Sequence, residues 1–483
     1  MNTATQLKTV PVILAGLLLS ACSLAPSYER PALPVAGDWP APPAVVDAAA
    51  NKGGQAAHEI AWQDFFQDDQ LKQVIAIALE HNRDLRVATL NIERARALHQ
   101  VQSANQLPTL NAGLSGARQR VPDQLAPGGK GGVTSAYTAG VGVTAFELDL
   151  FGSVRNMSQA ALERFAATEE AQRAAHISLV AEVASVYEAV LADERLLALS
   201  EQTLASRSES HQRQIQLREQ GASSEYDLRQ SESLLQAAKV ALAQATRQRA
   251  LDENALTVLT GRSLPADLLP SHGANWDNRI MADLMAELPA GLPSELLTAR
   301  PDIRAQEALL RAANANIGVA RAAFFPRITL TGALGSSSSE LSGLFDAGSR
   351  AWSFLPQLTL PIFDGGRNRA NLNVAKTDKD IAIAQYGKTI QVAFREVADA
   401  LAGRATLSDE LRAVQAQEQA EQVRYKLAKL RYEGGEASYL EYLDAQRALF
   451  GAQQQSIRTS LAELQNRISL YKALGGGWQK PKA

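Results

Sequence analysis

Two carboxylates and three tyrosines crowd the glycine pair in RYEGGEASYLEYLDAQRALF, residues 431–450. Glu441 and Asp444 lie one turn apart, which on a helix puts them on one side. Paired carboxylates are raw material for general acid–base catalysis, which also needs a nucleophile, a base or a metal within reach. The sequence supplies none of these. Its six histidines (58, 81, 99, 176, 211 and 272) are scattered without ligand spacing, and HExxH, GxSxG and Walker A patterns are absent. The GGKGG at 128–132 lacks the earlier glycine and the following Ser or Thr of a phosphate loop, so it reads as an exposed tip. The glycines suit helix reversal instead. Gly434 and Gly435, like Gly221 earlier, supply the left-handed conformation that ends a helix. Ser438 with Glu441 has capping-box spacing and Ser224 with Asp227 approximates it, so both serines are candidate caps and Glu441 has a structural use. No catalytic residue, metal site or enzyme activity is expected.

The only cysteine, Cys22, offers a different chemistry. It follows one lysine and about a dozen mostly apolar residues, a stretch that suits a secretory signal and is too short to span a bilayer. The sequence LSAC at 19–22 resembles a bacterial lipobox, which implies cleavage before Cys22 and a diacylglycerol thioether plus an N-acyl chain on that residue. Several chains anchor durably where one is marginal. Ser23 rather than aspartate follows, which points to the outer membrane. The expected organisation is a signal peptide at 1–21 and a lipid-anchored, proline-rich extended tether at 22–59. No other cofactor is expected.

The elements that position these residues come in two copies. Residues 81–110 match 299–328 at an offset of 218, pairing Asp84 with Asp302, Arg86 with Arg304 and Pro108 with Pro326. LDLFGSVRN at 148–156 matches LPIFDGGRN at 360–368, and GASSEYDL at 221–228 matches GEASYLEY at 435–442. Each copy reads helix, strand, strand, long helix, turn, helix. This gives a first repeat at 60–265, a connector at 266–287, a second repeat at 288–475 and a tail at 476–483. Residues 153–220 contain no Gly or Pro, enough for a helix of about 100 Å. Val180, Ala184, Tyr187 and Leu191 mark one apolar stripe and Val183, Val186, Val190 and Leu197 a second, as a helix wedged between two neighbours requires. In RPDIR, Pro301 and Asp302 suit a helix start, and Arg304 is placed to pair with a neighbouring acid.

Short alternating segments predict strands at about 109–117, 137–148, 327–336 and 351–361, the weak signal of a membrane β-barrel. Four strands cannot close a barrel and open edges cannot face lipid, so membranous strands require oligomerisation. The formal net charge of −3, with charges balanced, argues against nucleic acid. Outside the N-terminus no window approaches the length of an ordinary transmembrane helix.

With CSLAPSYERPALP (22–34), LPAGLPSELLTARPDIRAQE (288–307), FFPRITLTG (324–332) and LDAQRALF (443–450), the chain resembles the TolC/OprM-type outer membrane factors, in the lipoprotein (NodT) subgroup of efflux channels. The resemblance covers essentially the whole chain. It implies a mostly α protomer with a small membrane β part: a homotrimer forming a twelve-stranded β-barrel that continues into a periplasmic α-helical barrel, with a mixed equatorial domain. It implies passive conduction of drugs or other toxic small molecules, delivered by a periplasmic adaptor and an inner-membrane pump of the resistance-nodulation-division class. It makes the glycine turns the periplasmic tip, Tyr432 a gate tyrosine, and Glu441 and Asp444 entrance acids that form an anionic ring when repeated threefold. Some relatives carry a gate-locking arginine where this chain has Ala437. Two alternatives stand beside this reading: a duct for type I protein secretion or heavy-metal export, and a non-pore periplasmic coiled-coil scaffold. A count of only four methionines gives no support to a soft-metal relay, and the alternating strands speak against the scaffold.

Overall fold

The duplication in the sequence is repeated in the backbone. The computed structural model describes residues 23–36, 39, 57–125, 128, 131–269, 285, 288 and 300–479. Cys22, the signal segment and most of the connector lie outside them. The helices are α1 (Trp62–Phe65), α2 (Asp69–His81), α3 (Arg83–Ala104), α4 (Ser153–Glu219), α5 (Glu225–Thr260), α6 (Pro301–Ala322), α7 (Arg367–Glu433) and α8 (Tyr439–Ala473). The strands are β1 (Leu110–Val121), β2 (Gly132–Glu147), β3 (Arg327–Ser338) and β4 (Arg350–Thr359). Thus α3-β1-β2-α4-α5 is followed by α6-β3-β4-α7-α8. Both long helices, α4 and α7, have 67 residues, because neither run contains a proline to break it. An 18-residue window of α4 is apolar enough to cross a membrane, but more than half of it is buried within the protein, as in a core helix.

The chain divides into two units. The first comprises Met1–Ala32, Asn91–Glu169 and Ala305–Tyr386. It holds a four-stranded antiparallel sheet in the order β1-β2-β3-β4, so β1 and β4 are edges. The strands outrun the alternating segments: β1 reaches Val121 and β2 begins at Gly132, because polar residues such as Gln119 and Thr134 pair in the ladder as well as apolar ones. The β2–β3 register shifts between Val143 and Phe146, where Ala145 has a φ of 51° and its N–H donates to Thr331 Oγ1 at 3.1 Å. This is a bulge, and it bends the strand where the sheet gives way to helix. Large apolar side chains line the sheet surface in the open, among them Leu110, Leu114, Trp352, Phe354 and Leu358. Helix meets helix through alanine: Ala160, Ala312 and Ala315 form a buried cluster that lets α4 and α6 approach closely. Phe151 and Phe325 stack at 4.7 Å beside it. Asp149 and Asp364 sit at matching strand-to-helix junctions, each accepting backbone N–H bonds, from Arg155 in one copy and from Gly366 and Asn368 in the other.

The second unit comprises Leu33–Leu90, Glu170–Arg304 and Gly387–Ala483. The first apolar stripe of α4, Val180, Ala184, Tyr187 and Leu191, is buried throughout, while in the second Val183 and Val190 are buried and Val186 and Leu197 half-buried. Phe65 stacks on Tyr471 at 3.9 Å, and the Tyr471 hydroxyl donates to the Ile60 carbonyl at 2.6 Å. Arg300, just before α6, is buried and bridges Asp302, Glu396 (2.7 Å) and the Ala473 carbonyl. Arg304 finds the acid the sequence suggested in Glu170, at 2.6 Å.

Candidate functional site

The site builds from two helix reversals in the second unit, α4 to α5 and α7 to α8. In the first, Gly221 has a φ of 73°, its N–H donates to the Arg218 carbonyl, and the Ala222 N–H reaches back to Leu217. In the second, Gly435 has a φ of 76°, its N–H donates to Tyr432, and the Glu436 N–H reaches back to Arg431. The two patterns are identical Schellman motifs, satisfying the last free carbonyls of each long helix. Gly434 does not share this conformation; its N–H still bonds Leu430 as in a helix. Ser224 and Ser438 then cap the returning helices, their Oγ atoms accepting from the Asp227 and Glu441 N–H groups at 3.1 and 3.2 Å.

Behind the second turn four phenols pack together. Tyr432 stacks on Tyr442 at 5.5 Å and lies 5.4 Å from Tyr439, while Tyr425 stacks on Tyr442 at 5.7 Å. Leu443 closes the cluster. Burial pushes the Tyr439 and Tyr442 hydroxyls upward, helped at Tyr442 by the Tyr425 hydroxyl, so both stay neutral. Tyr432, Tyr439 and Gln446 find partners on one stripe of α4 spaced four residues apart. Ser206 accepts from Gln446 at 3.1 Å, Ser210 bonds the Tyr439 hydroxyl at 2.9 Å, and Gln214 donates to the Tyr432 hydroxyl at 3.2 Å. Ser223 in turn fixes the Gln214 carbonyl at 2.7 Å. This polar ladder ties the first helical hairpin to the second.

The two acids face arginines. Glu441 pairs with Arg431 across the turn, so its carboxylate does not reach back to complete a capping box; only its N–H takes part in the cap. Asp444 pairs with Arg424 and with Arg447 at 3.3 Å. The hydrogen bond it donates to Asp444 holds the Arg424 guanidinium above its ordinary range. Each acid is therefore locally neutralised within its own chain. Ala437 contributes a backbone N–H to the Arg431 carbonyl at 3.2 Å. Among the described residues no cluster of His, Cys, Asp and Glu could hold a metal.

Tyr425, Ser206, Ser210, Gln214, Gln446, Arg424 and Arg431 escaped the sequence reading. The four-residue spacing of Ser206, Ser210 and Gln214 was the available signal, a polar line on one side of a helix.

Paired hairpins with matched glycine turns, attached to a sheet with two open edges and an exposed apolar surface, define a subunit of an outer membrane channel. The chain belongs to the outer membrane efflux protein family, whose model matches residues 74–262 and 292–476. It is 46% identical over 463 residues to the probable efflux pump outer membrane protein TtgC of Pseudomonas putida, covering 96% of this chain and 94% of that one. It is 46% identical over 474 residues to the outer membrane protein OprJ of Pseudomonas aeruginosa, covering 98% and 97%. Its fold matches the open state of the Neisseria gonorrhoeae MtrE outer membrane channel with a TM-score of 0.84 and 39% identity, covering 95% of this chain and 99% of that one. The resemblance read from the sequence holds: the protein is an outer membrane efflux channel.

Proposed function

We propose that three copies of this chain close one duct, each giving four strands to a twelve-stranded outer-membrane barrel and two hairpins to a periplasmic helical barrel. The observation that carries this is the sheet with two free edges, β1 and β4, and large exposed apolar side chains. An edge facing lipid leaves backbone groups unsatisfied at several kcal/mol each, and pairing with the next copy removes that cost. A periplasmic adaptor and a proton-driven inner-membrane pump of the resistance-nodulation-division class load the duct. It passively conducts drugs or other toxic small molecules, which the pump selects. Covalent acyl chains on Cys22, palmitate among them, anchor each copy to the outer membrane.

The helical tip is the gate. The ladder from α4 to Tyr432, Tyr439 and Gln446 holds the second hairpin against the first in the resting state, and opening breaks it. Glu441 and Asp444 line the entrance as arginine-paired groups. Removing both carboxylates unmasks Arg424, Arg431 and Arg447 and should move the reversal potential in a salt gradient toward anions; an unmoved potential would leave them as surface ion pairs.

Native mass measurement of the detergent-solubilised protein tests the assembly. Three chains per particle, resistant to heating in detergent, are expected; a monomer in every detergent sinks the duct. Palmitate labelling that survives Cys22→Ala would refute the lipid site.

A further inference from the structure

Residues 23–30 cross α6 along a track of side chains on one side of the helix, within the first unit. Arg321 donates to the Leu24 carbonyl at 3.0 Å and Asn314 to the Pro26 carbonyl at 2.7 Å. Between them Gly318 leaves room: a Cβ there would stand 2.9 Å from the Ala25 Cβ and 2.4 Å from Asn156. Ser23 donates to Asn156 at 3.0 Å at the start of α4. At the far end Glu307, buried, receives the Tyr28 hydroxyl at 3.1 Å, the Arg30 fork at 3.0 and 2.8 Å, and Arg311 at 2.9 Å. Arg311 also lies over the Tyr28 ring at 5.2 Å. Burial works to raise the Glu307 carboxyl, but the hydrogen bonds from Arg30 and Arg311 outweigh it and keep it ionised. A buried carboxylate satisfied by a bidentate guanidinium is a strong and directional fastening.

The duplication supplies an internal control. Positions 307, 311, 314, 318 and 321 of α6 correspond to Thr89, Glu93, Arg96, Gln100 and Ser103 of α3. That set has no carboxylate at the clamp position and no glycine at the crossing. Its Arg96 lies over Phe165 at 5.4 Å instead. The track is therefore a feature of the second copy alone and not a consequence of the shared fold.

We propose that this side of α6 is a docking site for the chain's own amino-terminal segment, fastened at Glu307, which registers that segment on the strand-bearing unit independently of any lipid. Proteinase K digestion of the full-length protein in detergent, following loss of the segment by mass, tests this. Wild type and Cys22→Ser should both resist, while Glu307→Ala should release the segment about tenfold faster, because cleavage follows the population of the undocked state. The strap-side double variant Tyr28→Phe with Arg30→Gln, which changes nothing in α6, should do the same and carries the test if Glu307→Ala fails to fold. Equal release from wild type and the double variant overturns the proposal. So does release from Cys22→Ser as fast as from Glu307→Ala, since the lipid would then be the fastening.

Discussion

Gly434 and Gly435 look interchangeable in the sequence and are not. Only Gly435 has the left-handed backbone, where a side chain costs about 1–2 kcal/mol. Gly435→Ala should therefore lower the urea resistance of the folded chain by about that amount, and Gly221→Ala should match it. Gly434→Ala should be near neutral, since its backbone carries no positive φ. Comparable losses at 434 and 435 would mean that the turn is built differently. Glycines and serines of these turns were legible because their roles are local, set by φ and by an oxygen three residues away. The arginines opposite Glu441 and Asp444 were not, because Arg431 and Arg424 reach them only once α7 and α8 fold back in register. Sequence spacing within one helix says nothing about that register, so the acids read as a bare pair.

The long helices of the first copy, α4 and α5, were the most readable elements, since an absence of Gly and Pro is a property of the sequence itself; α7 reaches the same length as α4 with Gly387 and Gly403 inside it. Their lateral contacts were half readable: the apolar stripes of α4 stood out, but the polar line Ser206, Ser210 and Gln214 acquired meaning only opposite tyrosines from the other copy. That ladder makes a testable element. Gln214→Ala with Tyr432→Phe removes one rung and should raise the open probability of the channel severalfold, as loss of about 1 kcal/mol per bond implies. Higher up the same helix, Asp193 is buried beside Asp252, and burial followed by that neighbour pushes its carboxyl up to about 7, with Arg249 opposing. A carboxyl raised in the folded state contributes stability that is complete below its ordinary range and is lost as pH rises through about 7. Wild type should thus resist urea less at about pH 8 than at about pH 5, and Asp193→Asn should flatten that difference. An unchanged pH dependence in the variant would exclude Asp193 as its source. Strand ends were the least readable elements: hydrogen-bonded pairing carries β1 and β2 past the last alternating residue, and that pairing is a long-range property.

At the scale of the whole molecule, a single chain is visibly unfinished. Among the described residues its sheet has two free edges and exposes large apolar side chains, as a subunit that pairs with further copies would. The sequence already implied this, because four alternating segments are too few to close a barrel; the number of copies came from family likeness and not from physics. The same duplication that sets the fold also marks where the copies diverge. Arg431 and Tyr432 at the second turn correspond to Leu217 and Arg218 at the first, so only one hairpin carries the tyrosine latch. That asymmetry supports the proposal of a gate made of one fixed and one latched hairpin per chain. Single-channel recording in planar bilayers tests this most directly. The purified oligomer should give discrete, mostly closed conductance steps, and the Gln214→Ala, Tyr432→Phe variant should open more often at the same unit conductance. Protein that inserts fully and never conducts, in wild type and variant alike, would contradict the channel.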